Sequence, residues 1–96
     1  MYEFINWIDD HKHETAQVTK LKDLKNPEMG KTASGVWAGE SFQGKVSLRN
    51  SESGFQLLVN EGWTMRTSLI REVSRKGPLK WLLKTMNSVY RVEIIK

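Results

Sequence analysis

The chain contains no cysteine, which excludes a disulfide framework and any thiolate-ligated zinc or iron–sulfur site. Its stability must rest on packing and hydrogen bonds. Histidine is scarce as well. His11 and His13 are the only two, and with no recognisable serine motif around them they do not form the nucleophile and base pair that covalent catalysis needs. No apolar run approaches the roughly 18 residues that span a bilayer. The opening from Met1 to Ile8 lacks the basic flank and small cleavage-type residues of a secretory signal. These absences lead us to expect a cytoplasmic, non-catalytic protein with no membrane partner and no cofactor. At 96 residues, with 39% hydrophobic and 27% charged content, the composition is globular and not disordered, and it supports one domain over residues 1–96.

What is present is unevenly distributed. Residues 31–96 hold 11 lysines and arginines against 5 carboxylates, a net +6, whereas residues 1–30 hold 4 against 6, a net −2. A β-rich body carrying most of the positive charge suits a phosphate backbone as partner.

The hydrophobic periodicity places the elements. Phe4, Trp7 and Ile8 recur at the spacing of one helical face, predicting a short amphipathic helix over residues 1–10. Residues 15–22 read as a strand, and Asn26-Pro27 with Gly30 as a turn. Residues 31–44, with three glycines, read as a loop or irregular edge strand. Residues 45–49 and 55–59 form a hairpin around Ser51-Glu52-Ser53-Gly54. Alternation from Trp63 to Ile70 predicts a third strand with Trp63, Met65, Thr67 and Leu69 on one face. Arg75-Lys76-Gly77-Pro78 reads as an interruption. Residues 79–86 fit helix or strand, with strand favoured by their surroundings. Residues 89–95 form a closing strand with Tyr90, Val92 and Ile94 inward. The fold expected is mainly β (α+β): a small twisted antiparallel sheet or barrel of about five strands over residues 15–95, capped by the N-terminal helix.

Thr67-Ser68-Leu69-Ile70, followed by Thr85, Asn87, Ser88 and Tyr90, resembles small SH3-like β-barrel accessory proteins of phages and mobile elements. The resemblance covers residues 63–95. It implies an SH3-like barrel and a host-directed accessory role, and it carries over no catalytic or binding residue. The same hydroxyl and amide groups also have a purely structural use, which is to satisfy backbone donors and acceptors where a bent strand leaves its ladder.

Arg75, Lys76, Lys80 and Lys84 with Trp81 among them form the densest basic and aromatic cluster, a combination that suits phosphates and stacked bases of single-stranded or looped RNA. Lys45 and Arg49 share one face of their strand and extend that surface. Trp37, flanked by Gly35 and Gly39, suits base stacking or a protein partner. Trp7 and Trp63 fit core positions. Asp9, Asp10, His11, His13 and Glu14 lack metal-ligand spacing at a helix end, so no metal is expected. The function expected is RNA binding through the basic and aromatic surface. The alternative is a phage-type inhibitor or accessory protein that binds a host enzyme or toxin, possibly together with RNA.

Overall fold

A computed structural model describes residues 1–24 and 37–95. The turn expected at Asn26 to Gly30 and the start of the loop after it lie outside the described residues. Helix α1 (Tyr2–Asp10) opens the chain and buries Phe4, Trp7 and Ile8, the face the periodicity marks. Glu3 in its first turn complements the helix dipole. The helix ends at His11, whose backbone leaves helical geometry at φ −111° and ψ 13°.

Among the described residues eight strands follow: β1 (Ala16–Asp23), β2 (Ser41–Gly44), β3 (Val46–Ser51), β4 (Gly54–Val59), β5 (Met65–Arg66), β6 (Ile70–Gly77), β7 (Lys80–Thr85) and β8 (Ser88–Ile94). They form a five-stranded sheet in the order β2-β1-β8-β7-β6 and a three-stranded sheet in the order β3-β4-β5. Every pairing is antiparallel.

Two bent segments join the sheets. At the first, β2 passes through Lys45 into β3, so one nearly continuous strand pairs with β1 at its start and with β4 further on. At the second, Thr67 N–H still donates to Leu57 O in the three-stranded sheet (3.0 Å), and by Leu69 the chain's carbonyl accepts from Met86 N–H beside the five-stranded sheet (2.9 Å). The pairings thus run in chain order from β1 round to β8, and β8 pairs back to β1. The ladder lapses at both corners, which leaves two sheets packed around one core and not a closed barrel.

Inward residues of both sheets and the helix form a single cluster: Val18, Trp81, Leu83, Tyr90 and Val92 from the larger sheet, Val46, Leu57, Val59 and Met65 from the smaller, and Phe4, Trp7 and Ile8 from α1. Each large side chain buried this way contributes on the order of 1.5–3 kcal/mol. The helix is clasped as well as packed. Trp7 Nε1 donates to Pro78 O at the β6–β7 turn (2.8 Å), and the Phe4 and Trp81 rings meet edge to face at 5.1 Å.

The mainly β fold with a short N-terminal helix agrees with the sequence reading, as do the hairpin, the strand over residues 79–86 and the closing strand. Three expectations are corrected. Residues 63–70 are not one regular strand, because a 3-10 turn at Asn60–Gly62 with positive φ at Asn60, Glu61 and Gly62 delays pairing until Met65. Trp63 is consequently 90% exposed and lies outside the core. Arg75 and Lys76 do not interrupt a strand but belong to β6, and the turn starts only at Pro78.

Candidate nucleic-acid interface

The basic residues singled out from the sequence are distributed over separate surfaces. Arg75 lies opposite Trp81 on the side facing the helix. Its guanidinium sits 5.7 Å from the Trp81 ring centroid and 3.3 Å from Glu3, and it donates to the carbonyls of Gly77 and Pro78. This side chain ties helix, turn and sheet together. Trp81 is 2% exposed, so it offers no stacking face. Its alternation with Leu83 and Thr85 places all three in the core, and the reading of Trp81 as a surface platform is corrected accordingly.

Lys80 and Lys84 point outward from the larger sheet, and each is matched by a carboxylate. Across the ladder Lys84 stands opposite Glu72 on β6 and Lys80 opposite Glu93 on β8, and the ion pair of Glu93 is with Arg91, whose Nε lies 2.9 Å away. Opposite charges directly across a ladder offset one another. Lys76 sits at a register shift near the end of β6 and lines a hollow of about 320 Å³ with Lys80 and Glu93. The cluster at residues 75–84 is therefore interleaved with carboxylates and split between two faces.

The smaller sheet is different. Its inward set is Val46, Leu57, Val59 and Met65, so the register puts Ser47, Arg49, Gln56, Leu58 and Arg66 on the outer face. Arg49 and Arg66 are exposed, and no carboxylate occupies an outward position on these three strands. Lys45 continues the same alternation at the corner. At the head of β5 stands Trp63, anchored by its N–H donating to Asn60 O (3.0 Å) while its indole faces solvent. Arg49 and Arg66 thus lie on one sheet, with Lys45 and Trp63 just outside its strands at the corner and at the turn before β5, and two of the four, Arg66 and Trp63, were not singled out as binding residues from the sequence. The signal for Trp63 lay in Asn60-Glu61-Gly62, whose turn chemistry breaks the alternation on which a core placement relies.

The turn before Trp63 is firmly built. Asn60 N–H donates to Lys45 O (2.8 Å), Lys45 N–H donates to Asn60 Oδ1 (3.0 Å), and Asn60 Nδ2 donates to Thr64 Oγ1 (2.8 Å). The turn borders a groove of about 500 Å³ whose other walls are Lys12 and His13, after α1, and Lys45 to Ser47. Two local pairs follow α1, His11 Nδ1 with Glu14 and Lys12 with Asp9, each at 3.3 Å. Trp37 is half-exposed just before β2.

The hydroxyl and amide residues behind the phage-type resemblance line the second corner. Thr67 Oγ1 accepts from Leu57 N–H and donates to Ser68 O. Ser68 Oγ donates to Thr85 Oγ1, which also accepts from Ser88 N–H and donates to Ser88 O. Asn87 N–H donates to Ser68 Oγ. These groups hold a strand bend together. Beside them the sequence hid a buried ion pair: Lys20 and Asp23 are almost wholly enclosed, with Nζ 3.6 Å from Oδ2, where β1 shifts register. The alternation of Ala16, Val18 and Lys20 already points the lysine inward. Tyr90 lies opposite Lys20, and its phenol is held above its ordinary pKa chiefly by burial, with the Asp23 charge adding and a Ser88 hydrogen bond opposing.

Compared with known proteins, the chain matches no family model, no curated protein and no solved structure.

Proposed function

We propose that this protein is a non-catalytic nucleic-acid-binding module that takes single strands, RNA favoured, on the outer face of its three-stranded sheet. The observation that carries the reading is Trp63: a 90% exposed indole at the turn before β5, beside a small sheet that carries Arg49 and Arg66 with Lys45 at its corner and no outward carboxylate on its strands. Cations beside an exposed aromatic are what a flexible backbone with unstacked bases requires. Duplex DNA is disfavoured because α1 turns its apolar face into the core and leaves Glu3, Asp9 and Asp10 exposed, the wrong charge to enter a groove.

Titration of the intrinsic tryptophan fluorescence with a short oligouridylate tests the reading. Trp63→Ala should weaken binding by about 1–3 kcal/mol, and Arg49→Glu with Arg66→Glu should abolish it. Lys80→Glu with Lys84→Glu should change it little. Unchanged affinity in the Arg49/Arg66 double variant would sink the assignment.

A second reading, a phage-type accessory factor that docks on a host enzyme or toxin, draws support from the half-exposed Trp37, since exposed tryptophans anchor protein interfaces. Pull-downs with and without nuclease separate the two. Partners that vanish with the RNA favour the first, and partners that persist favour the second.

A further inference from the structure

We propose that the groove between the α1–β1 turn and the Asn60–Gly62 turn receives a terminal phosphate monoester of the bound strand; this rests on the nucleic-acid reading above. Three basic side chains converge on the groove from two distant segments: Lys12 and His13 after the helix, and Lys45 at the first corner. Ser47 and Asn60 complete its lining, and Asn60 is fixed by its bonds to Lys45 and Thr64, so this wall is set before any ligand arrives. An internal phosphodiester carries one charge and is matched by one lysine or arginine, as along the open sheet face. Lysines converging with an imidazole N–H suit the second charge and extra acceptor oxygen of a monoester.

The groove and the sheet face are continuous. Lys45 and Ser47 belong to both, and the turn that carries Trp63 also supplies Asn60 and Glu61 to the groove. A strand whose base stacks on Trp63 therefore has its end within reach of the basic walls. Two carboxylates oppose the ligand: Glu61 in the lining and Asp9, which pairs with Lys12 at 3.3 Å. Both members of that pair are well exposed, so it yields readily to a competing anion.

The test compares short oligouridylates carrying phosphate or hydroxyl at either end, with the label on the opposite end, by fluorescence anisotropy on the full chain. In one polarity the phosphate should tighten binding about tenfold. Lys12→Gln and His13→Gln should together remove that advantage while leaving the hydroxyl-ended affinity unchanged, and Glu61→Gln should enlarge it. Equal affinity for both ends in both polarities, with binding still dependent on Trp63, overturns the groove assignment and leaves the nucleic-acid reading standing. If no oligonucleotide binds, that reading fails, and an amide NMR titration with uridine monophosphate against uridine decides the groove separately. Shifts at Lys12, His13, Lys45 and Asn60 with the nucleotide alone support it, and their absence overturns it.

Discussion

Thr85 is wholly enclosed, and its hydroxyl makes three hydrogen bonds, accepting from Ser68 Oγ and Ser88 N–H and donating to Ser88 O. A buried polar group left without its partner costs more than the bond itself contributes. Thr85→Val, close in shape, should therefore cost about 2–4 kcal/mol in urea unfolding by stranding both donors, whereas Thr85→Ser should keep most of the stability. Equal stability of wild type and Thr85→Val would contradict this account. Tyr90 gives a pH effect of definite sign. Its folded pKa lies above the ordinary value near 10, so the folded state holds the proton more firmly than the unfolded one. Its contribution is constant below about pH 10 and is lost as pH rises from there through the folded value. Urea midpoints should fall over that alkaline window, and Tyr90→Phe should lack this part of the fall. At this scale the sequence was legible where alternation is unbroken, as for Tyr90, Val92 and Ile94. It misled at Trp63, because left-handed residues reset the phase just before it.

The corner between β2 and β3 depends on one close approach. A Cβ on Gly44 would overlap the Asn60 side chain. Gly44→Ala should therefore destabilise by about 1–3 kcal/mol through overpacking, and it should perturb oligonucleotide binding by shifting Asn60 and Lys45. Replacing Asn60 with glycine in the same chain should recover part of the stability, and denaturant midpoints of the single and double variants measure the coupling. Among the elements, α1 and the β3–β4 hairpin were readable because period and turn chemistry agree. Strand β6 was not. Its sequence, Ile-Arg-Glu-Val-Ser-Arg-Lys-Gly, turns few apolar residues inward, and two register shifts break its alternation. The corners were unreadable as well, since a strand that changes sheets midway carries no periodicity of its own beyond the hydroxyls that line its bend.

Across the whole molecule, the net +6 of residues 31–96 does not act as one field. Glu72 and Glu93 stand across the larger sheet from Lys84 and Lys80 and Glu3 holds Arg75, whereas the strands of the smaller sheet carry no carboxylate beside Lys45, Arg49 and Arg66. Three phosphate contacts on a single strand correspond to a slope of about −2 in log affinity against log salt. Measured over a range of potassium chloride concentrations, a slope near −2 fits this face, and a slope three times steeper would mean that most of the cations are engaged.

The two sheet-switching strands have a consequence for self-association. Among the described residues each leaves one flank unpaired for part of its length, and β6, the longest such flank, lies at the end of its sheet. An edge strand of eight residues with one open flank is a template onto which another chain can add. Here Arg71, Glu72, Arg75 and Lys76 are exposed along it, and register shifts at both ends spoil its regularity. The charges near residue 75, which in the sequence suggested a phosphate contact, thus stand along the edge where a second copy of this chain would have to pair.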